Sequence, residues 1–417
     1  MSERSETKSL PITKEMVLAA YKKVKSNRGG AGIDRVSLEE FEIELERNLY
    51  KIWNRLSSGS YFPPPVREVT IPKRDGKTRK LGIPTVSDRV AQQVIKSYLE
   101  PRLDQVFHEH SYGYRPNKSA HQAIAEVRKN VRQYAWVVDM DIKSFFDEVN
   151  HELLIKALDH HVSESWVKMY VLRWLETPVE SITGGLMPKQ GKGTPQGGVI
   201  SPLLANLYLH YTLDKWLENN YPMVRFVRYA DDTIIHCHNE EEANNVLKAV
   251  QVRLANCGLR LNEQKTKIVY CQDYRRPKRK DCNKQFNFLG FSFQPVWNKS
   301  NRGGMFLGYN CVMSISSQTR IAQEIKATRF HRWTTAEIED IADMLNPKLR
   351  GWTNYYGKFS RDKLSWVFHS FHRRLIKWLM NKYKSMRTDK LRAVKFLKGL
   401  HQTKPDLFYH WAKGYRL

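Results

Sequence analysis

The 417-residue sequence is poor in cysteine, and its five cysteines form no pattern. Cys237, Cys257, Cys271, Cys282 and Cys311 contain no CxxC pair and are odd in number, which argues against a disulfide framework or a cysteine zinc site and points to a reducing compartment. No apolar run reaches the length of a membrane span, and the opening MSERSETKSLPITK has no apolar stretch of the kind a secretion signal needs. A cytoplasmic chain with no membrane span is therefore expected. The glycine-rich stretch 184–198 also lacks Walker spacing: five residues separate Gly185 from Gly191, and Gly193 rather than Ser or Thr follows Lys192. An ATPase loop is excluded. Acid is missing where base is plentiful, since no Asp or Glu occurs between Lys363 and Thr388.

What is present is positive charge. A net charge of +26 and a pI near 9.8 imply a polyanionic partner. The excess is concentrated late in the chain, with 24 Lys and Arg against 8 Asp and Glu from Trp297 to Leu417. Aromatic residues, at 12%, supply surfaces on which bases can stack. The length suits two or three domains, with boundaries expected near Ser60, after which Pro63-Pro64-Pro65 interrupts the helical pattern, and near Asn298, beyond which helical periodicity takes over.

The chain is organised around FVRYADDTII, residues 226–235. Two β-prone runs flank Ala230-Asp231-Asp232, which predicts a tight hairpin with two carboxylates at its tip. Like charges that close raise each other's pKa, and a divalent cation is the usual remedy; a solvated turn is the plain alternative. Upstream, YAWVVDMDI (134–142) reads as a buried strand ending in Asp139 and Asp141, which alternate onto one face. A buried strand ending in acids needs a partner, so it reads as the other half of a metal site.

Several further elements follow from pattern. A helix opens at Thr13, and a capping box at Ser37 to Glu40 starts a second helix with Phe41, Leu45, Leu49 and Ile52 inward. VREVTIPKRDGKTRKLGIP (66–84) reads as a hairpin around Asp75-Gly76, either merely solvated or presenting Lys73 and Arg79 to a triphosphate. A helix over 87–100 is expected to stop at Pro101. SYGYRP (111–116) is a compact loop, either structural or placing Arg115 against a template. Ser201-Pro202 is expected to cap a helix over 203–211, and residues 240–256 form another. FNFLGFSF (286–293) reads as one aromatic strand kinked at its glycine. Leu364, Phe368, Phe371, Leu375 and Trp378 recur at helical spacing, with Arg373, Arg374, Lys377, Lys382 and Lys384 on the other face, where backbone contact with nucleic acid is favoured over a solvated surface. The histidine pairs His236/His238 and His369/His372 read as structural.

Asp141, Asp231 and Asp232 together suit a site for two Mg²⁺ ions, the arrangement that performs in-line phosphoryl transfer. At this point the chain resembles, over almost its whole length, the bacterial group II intron reverse transcriptases with maturase function. The stretches that carry the likeness are GGAGIDRVS (29–37), VTIPKRDGKTRKLGIPT (69–85), HSYGYRPNKSA (110–120), VVDMDIKSFFDEVNH (137–151), GTPQGGVISPLLAN (193–206), VRYADD (227–232), FLGFSF (288–293) and LRGWTNYYG (349–357). The resemblance implies an α+β right-hand polymerase, whose fingers and palm carry an antiparallel sheet, followed by an α-helical thumb or maturase region. It implies an N-terminal extension over 1–60, fingers and palm over 61–297, and thumb over 298–417. It makes Asp141, Asp231 and Asp232 the catalytic metal ligands for Mg²⁺ and leaves Asp139 a supporting role. It assigns Lys73 and Arg79 to the incoming triphosphate, Gln196 to the nascent pair, and Phe146 to the position that crowds the sugar 2′ carbon. Arg115, Lys265, Arg350, Arg373, Arg374 and Lys377 are the expected nucleic-acid contacts.

The implied partners are an RNA template, a group II intron RNA first of all, a DNA primer or target, and deoxynucleoside triphosphates. The implied activity is copying intron RNA into cDNA while assisting splicing and retrohoming. No cysteine-paired zinc site follows the thumb, so second-strand cleavage is not expected of this polypeptide. Two other readings share much of the pattern: a splicing cofactor with a vestigial polymerase site, against which the intact acids argue, and a reverse transcriptase serving a retron, a defence system or DNA repair.

Overall fold

The computed structural model describes residues 9–72, 78–300 and 303–416. Contacts along the chain divide it into two compact units, one of residues 1–123 and 138–267, the other of residues 124–137 and 268–417. Both mix helices with largely antiparallel sheet, and the second is mostly helical after Met313.

In the first unit, the helix Lys14–Asn27 begins where Thr13 Oγ1 accepts the Met16 N–H, and its stripe of Val17, Ala20, Tyr21 and Val24 is buried. The capping box forms: Glu40 N–H donates to Ser37 Oγ, and Ser37 N–H donates to the Glu40 carboxylate. The helix it starts is shorter than periodicity suggests. Glu44 leaves helical geometry, so Leu38–Ile43 and Leu45–Ser57 are separate helices, with Asn48 Nδ2 donating to Phe41 O across the break. Leu45 and Leu49 are accordingly half-buried, whereas Phe41 and Ile52 are buried.

The strands Val66–Pro72 and Thr78–Ile83 pair antiparallel from Arg67↔Ile83 to Pro72↔Thr78, and Val179–Glu180 and Leu186–Met187 extend their sheet. The Asp75-Gly76 turn and Lys73 lie outside the described residues. The next helix runs Val86–Asp104, straight through Pro101, which does not stop it. Leu103 in the core and the Arg102 to Glu164 ion pair at 2.6 Å hold the turn beyond the proline. A second departure concerns Ser201-Pro202. Ile200 is the cap residue, and Ser201 already sits in the first helical turn, its hydroxyl accepting from Thr194 Oγ1. The helix Ser201–Leu209 then continues through a π-helical turn, His210–Asp214, into Lys215–Asn220.

Arg225–Tyr229 and Asp232–Cys237 form the expected hairpin and lie in one sheet with Trp136–Met140, next to Asp232–Cys237. Glu240–Asn256 is helical over the expected range, with Ala243, Val246, Val250 and Leu254 buried and Leu247 half-buried.

In the second unit, FNFLGFSF is not one kinked strand. Phe286–Phe288 and Phe291–Lys299 pair antiparallel around a two-residue turn in which Leu289 and Gly290 have φ of 49° and 81°. Two successive positive φ angles match the twist of flanking strands and reverse the chain where a kink would only bend it. A third strand, Met305–Met313, follows, so the helices begin at Ile315. On the helix Arg361–Lys382, Leu364, Phe368, Phe371, Leu375 and Trp378 are all buried, as the spacing predicts. Phe371 meets Phe408 at 5.3 Å and Phe330 at 5.6 Å. Each such side chain contributes about 1.5–3 kcal/mol through burial. Among the described residues no helix is long and apolar enough to cross a membrane.

Candidate active site

The hairpin tip is a two-residue turn, Ala230-Asp231, closed by the Tyr229↔Asp232 pair. Ala230 has φ of +57°, a left-handed conformation that a side chain disfavours. Its neighbours hold it there. The Arg228 guanidinium, fully buried, donates to Ala230 O at 3.0 Å, to Asn206 Oδ1 at 2.9 Å, and to both oxygens of Asp214 at 2.7 and 2.5 Å. Asp214 comes from the π-helical turn. Asn206 in turn donates to Gly113 O at 2.7 Å, while Tyr112 N–H donates to Arg228 O. Gly113 lies flat against the tip: a Cβ there would stand 2.3 Å from Ala230 N. The SYGY loop and the SPLLAN helix therefore brace the tip from behind. None of Asn206, Asp214 or Gly113 stood out as a site residue in the sequence, because each acts through Arg228 or Ala230.

Asp231 is pushed above the ordinary carboxylate range by burial and by the charge of Asp141, against which Arg79 and Lys265 pull. Asp141, Arg79 and Lys265 are thus each within electrostatic reach of Asp231. Asp141 is held from the segment that follows Gly258: Asn262 Nδ2 donates to its Oδ2 at 2.9 Å, and Lys265 Nζ lies 3.4 Å from the same oxygen. Lys265, expected at nucleic acid, stands beside Asp141. Asp139 pairs with Lys267 at 3.8 Å, but burial dominates, and with Asp232 and Asp141 nearby pushes it up to about 7.

Among the described residues no three His, Cys, Asp or Glu side chains are gathered into a ready-made metal cage. Asp141 turns one oxygen to Asn262 and Lys265. The donor chemistry still fits Mg²⁺: Asp141, Asp231 and Asp232 are hard oxygen ligands with no thiol or imidazole among them. Burial pushes His236 and His372 down to about 3, and His372 meets His410 at 2.8 Å in the second unit.

The second half of the candidate site is built from the paired strands Val66–Pro72 and Thr78–Ile83 and the PQGG turn. Arg79 Nε donates to Gln196 Oε1 at 2.6 Å, and Gly82 N–H donates to Gln196 O at 2.7 Å. Gly197, at φ +120°, has to be glycine, because a Cβ would stand 2.5 Å from Gly82 O. Beneath the turn, Gln92 Oε1 accepts from Val199 N–H and Ile200 N–H, and Gln92 Nε2 donates to the buried Asp88. Phe146 is buried in a single helical turn, Phe145–Glu148, its ring edge-on to Phe145, and Thr194 N–H donates to its carbonyl. Asp147, beside it, is raised by burial while Lys189, Arg79 and a Gln196 hydrogen bond favour its charge. A cavity of about 190 Å³ opens there, with Lys80, Asp147, Lys189 and Gln196 on its wall. Asp147 was missed in the sequence; its only local sign is its place after Phe146, and Lys189, Gln196 and Arg79 all lie more than forty residues away in the chain.

Arg115 is turned inward. It donates to Asp104 Oδ1 at 2.6 Å, to Asp104 O, to His108 O and to Ser111 O, so the guanidinium expected at a template also ties the loop to the end of the preceding helix and has few donors left to offer. In the second unit, Arg373 and Lys377 are exposed and Arg374 half-buried on the outer side of Arg361–Lys382. Burial lowers His331, with Arg374, Lys377, Arg332 and Arg329 reinforcing it, so each of these cations lies within electrostatic reach of His331. Arg350 is exposed over the Tyr409 ring at 5.1 Å.

Residues 71–293 match the family of reverse transcriptases (RNA-dependent DNA polymerases), and residues 318–395 match the group II intron maturase-specific domain. Protein YkfC of Escherichia coli (strain K12) is 33% identical over 308 residues, covering 63% of this chain and 79% of YkfC. The group II intron-encoded protein LtrA of Lactococcus lactis subsp. cremoris is 31% identical over 278 residues, covering 66% of this chain. The match spans 44% of LtrA, less than half of that relative. A solved telomerase from Candida albicans, in complex with a fragment of telomeric RNA, aligns with a TM-score of 0.46 and 12% identity over 90% of this chain and 67% of that one. The matched family model takes in more than half of the sequence and includes the braced Asp-Asp hairpin, Asp141 and the Arg79–Gln196 pair, and the chain belongs to the reverse transcriptase family, with a group II intron maturase-specific domain after the polymerase region.

Proposed function

We propose that the chain copies a group II intron RNA into DNA and also binds that RNA to assist splicing and retrohoming. The observation that supports the polymerase reading is the braced hairpin that carries Asp231 and Asp232, with Asp141, Arg79 and Lys265 each within electrostatic reach of Asp231. Anionic ligands for cations and a cationic side chain for phosphate stand together there.

In this reading, Arg79 leaves Gln196 to grip the triphosphate bidentately, with Lys73 as a second charge. Gln196 lies beside the nascent pair, and the Phe146 ring occupies the space a 2′-hydroxyl would need. Asp141, Asp231 and Asp232 would hold two Mg²⁺ ions, whose chemistry is to lower the pKa of the attacking primer hydroxyl and to stabilise charge in the transition state. Asp141 would have to leave its Asn262 and Lys265 contacts to hold such an ion. The bracing of Ala230 by Arg228 keeps the two hairpin carboxylates in place throughout, which is the pre-organisation phosphoryl transfer needs.

We assign residues 1–60 to an N-terminal extension, 61–297 to fingers and palm, and 298–417 to a thumb that grips intron RNA with Arg350, Arg373, Arg374 and Lys377. A cytoplasmic setting agrees with five free cysteines. The deciding experiment is primer extension on an RNA template with Mg²⁺ and deoxynucleotides, beside Asp231→Asn with Asp232→Asn. Extension by the wild type, lost in the double variant while RNA binding stays, is the expected result. Parallel loss of synthesis and RNA binding would make the hairpin structural. Failure of the wild type to extend, with tight RNA binding kept, would favour a splicing cofactor.

A further inference from the structure

The helices Arg361–Lys382 and Lys390–Thr403 enclose a cleft of about 540 Å³. Trp366, His369, Arg373 and Ile376 follow one another at steps of three and four on the first helix and so share a face. Val394, Leu397 and Lys398 answer from the second. The floor is packed and uncharged: Leu397 is fully buried, and His372 is fixed by His410 at 2.8 Å and by Trp411 Nε1 at 3.1 Å. Trp366, the largest side chain of the cleft, is nevertheless 74% exposed. Arg373 and Lys398 are exposed at the mouth, and no carboxylate lines the cleft.

We propose that this cleft takes one unpaired nucleotide of an RNA, its base stacked on Trp366 and its flanking phosphates on Arg373 and Lys398. The proposal rests on the reading of this region as an RNA-binding thumb and adds a site to it. Charge selects the occupant. From Lys363 to Lys404 there are twelve Lys and Arg and a single acid, Asp389, which is used as a helix cap for the Arg392 N–H. A polyanion is drawn to such a surface, whereas an apolar peptide gains nothing from it. The volume lies in the range of small-ligand pockets and admits a base with its sugar. A base inside a duplex already has both faces covered, so only one extruded from a loop or bulge can lie on the indole.

The test uses the full chain and two RNA hairpins that differ by one bulged 2-aminopurine. Wild-type protein is expected to bind the bulged hairpin about tenfold more tightly than the paired one, within the range that base–aromatic stacking supplies, and to quench the 2-aminopurine. Trp366→Ala should lose both the preference and the quenching while binding the paired hairpin as before. Trp366→Phe should keep most of each. Because the indole is exposed, melting temperatures should not change. Equal wild-type affinity for the two hairpins, or a preference that survives Trp366→Ala, would overturn the assignment. Binding of neither hairpin by the wild type would instead bring down the RNA-binding reading of the thumb, and this site with it.

Discussion

Replacing Asp214 with alanine leaves the Arg228 guanidinium fully buried with two of its four hydrogen bonds gone. A buried charge stripped of its partner costs about 3–5 kcal/mol. For a unit of this size that is a fall of roughly 10 °C in melting temperature. The informative variant is the double replacement Arg228→Met with Asp214→Leu, which removes both charges and keeps apolar volume. Such exchanges are often neutral in stability, so the melting temperature should return to within a few degrees of wild type. Activity should not return with it. Ala230 O has lost its side-chain donor, Asn206 has lost an acceptor role, and the left-handed turn bearing Asp231 keeps only the strand pairing and the packing of the Tyr112-Gly113 loop. The assay pairs thermal unfolding with primer extension. The double variant is expected to be folded and at least 100-fold slower, an order of magnitude typical of lost positioning. A double variant that extends primers like the wild type would refute the view that Arg228 sets the geometry of the tip. So would an Asp214→Ala variant less than about 1 kcal/mol below wild type, because a buried unpaired guanidinium cannot be that cheap.

Phe146→Ala should relax sugar selection, read as incorporation of ribonucleotides relative to deoxynucleotides; unchanged exclusion would place the steric barrier elsewhere. Asp88 gives a pH signature. Burial pushes its carboxyl up to about 6 despite hydrogen bonds from Trp174, Gln92 and Tyr61, so its contribution to stability is full below pH ~4 and is lost as pH rises through about 6. The stability difference between wild type and Asp88→Asn should therefore move by about 3 kcal/mol against the wild type between pH 4 and 7, measured by urea unfolding, and a flat difference would contradict a buried, proton-sensitive carboxyl. RNA affinity should fall steeply with salt, because each phosphate neutralised by the basic helix releases counterions; a shallow slope would argue against backbone contact.

Local chemistry made much of the molecule readable in advance. The FVRYADDTII hairpin, the capping box at Ser37, the helix Glu240–Asn256 and the apolar stripe from Leu364 to Trp378 all follow from patterns contained in a dozen or so residues. Side-chain periodicity and short-range hydrogen bonds act at that range, so sequence alone suffices. The same holds for the candidate acids, whose residue type declares their chemistry. Where local signals competed, sequence decided less well. Proline at 101 is a helix breaker, yet packing of Leu103 and the Arg102–Glu164 pair carry the helix past it. Leu289-Gly290 could bend a strand or reverse it, and pairing with the next strand selected reversal.

Only the tertiary structure decided what each charged side chain does. Arg115 and Arg79 are both cations in motif segments, but one is enclosed by four carbonyl and carboxylate oxygens of Asp104, His108 and Ser111 and the other is exposed on Gln196. Lys265 meets Asp141 across 124 positions, and Arg228 meets Asp214 from a π-helical turn that no periodicity announces. Sequence therefore determined which groups were available and which elements carry them. The fold determined their partners, because an electrostatic or hydrogen-bonding role depends on separations of about 3–4 Å, and those arise between residues that are distant in the chain.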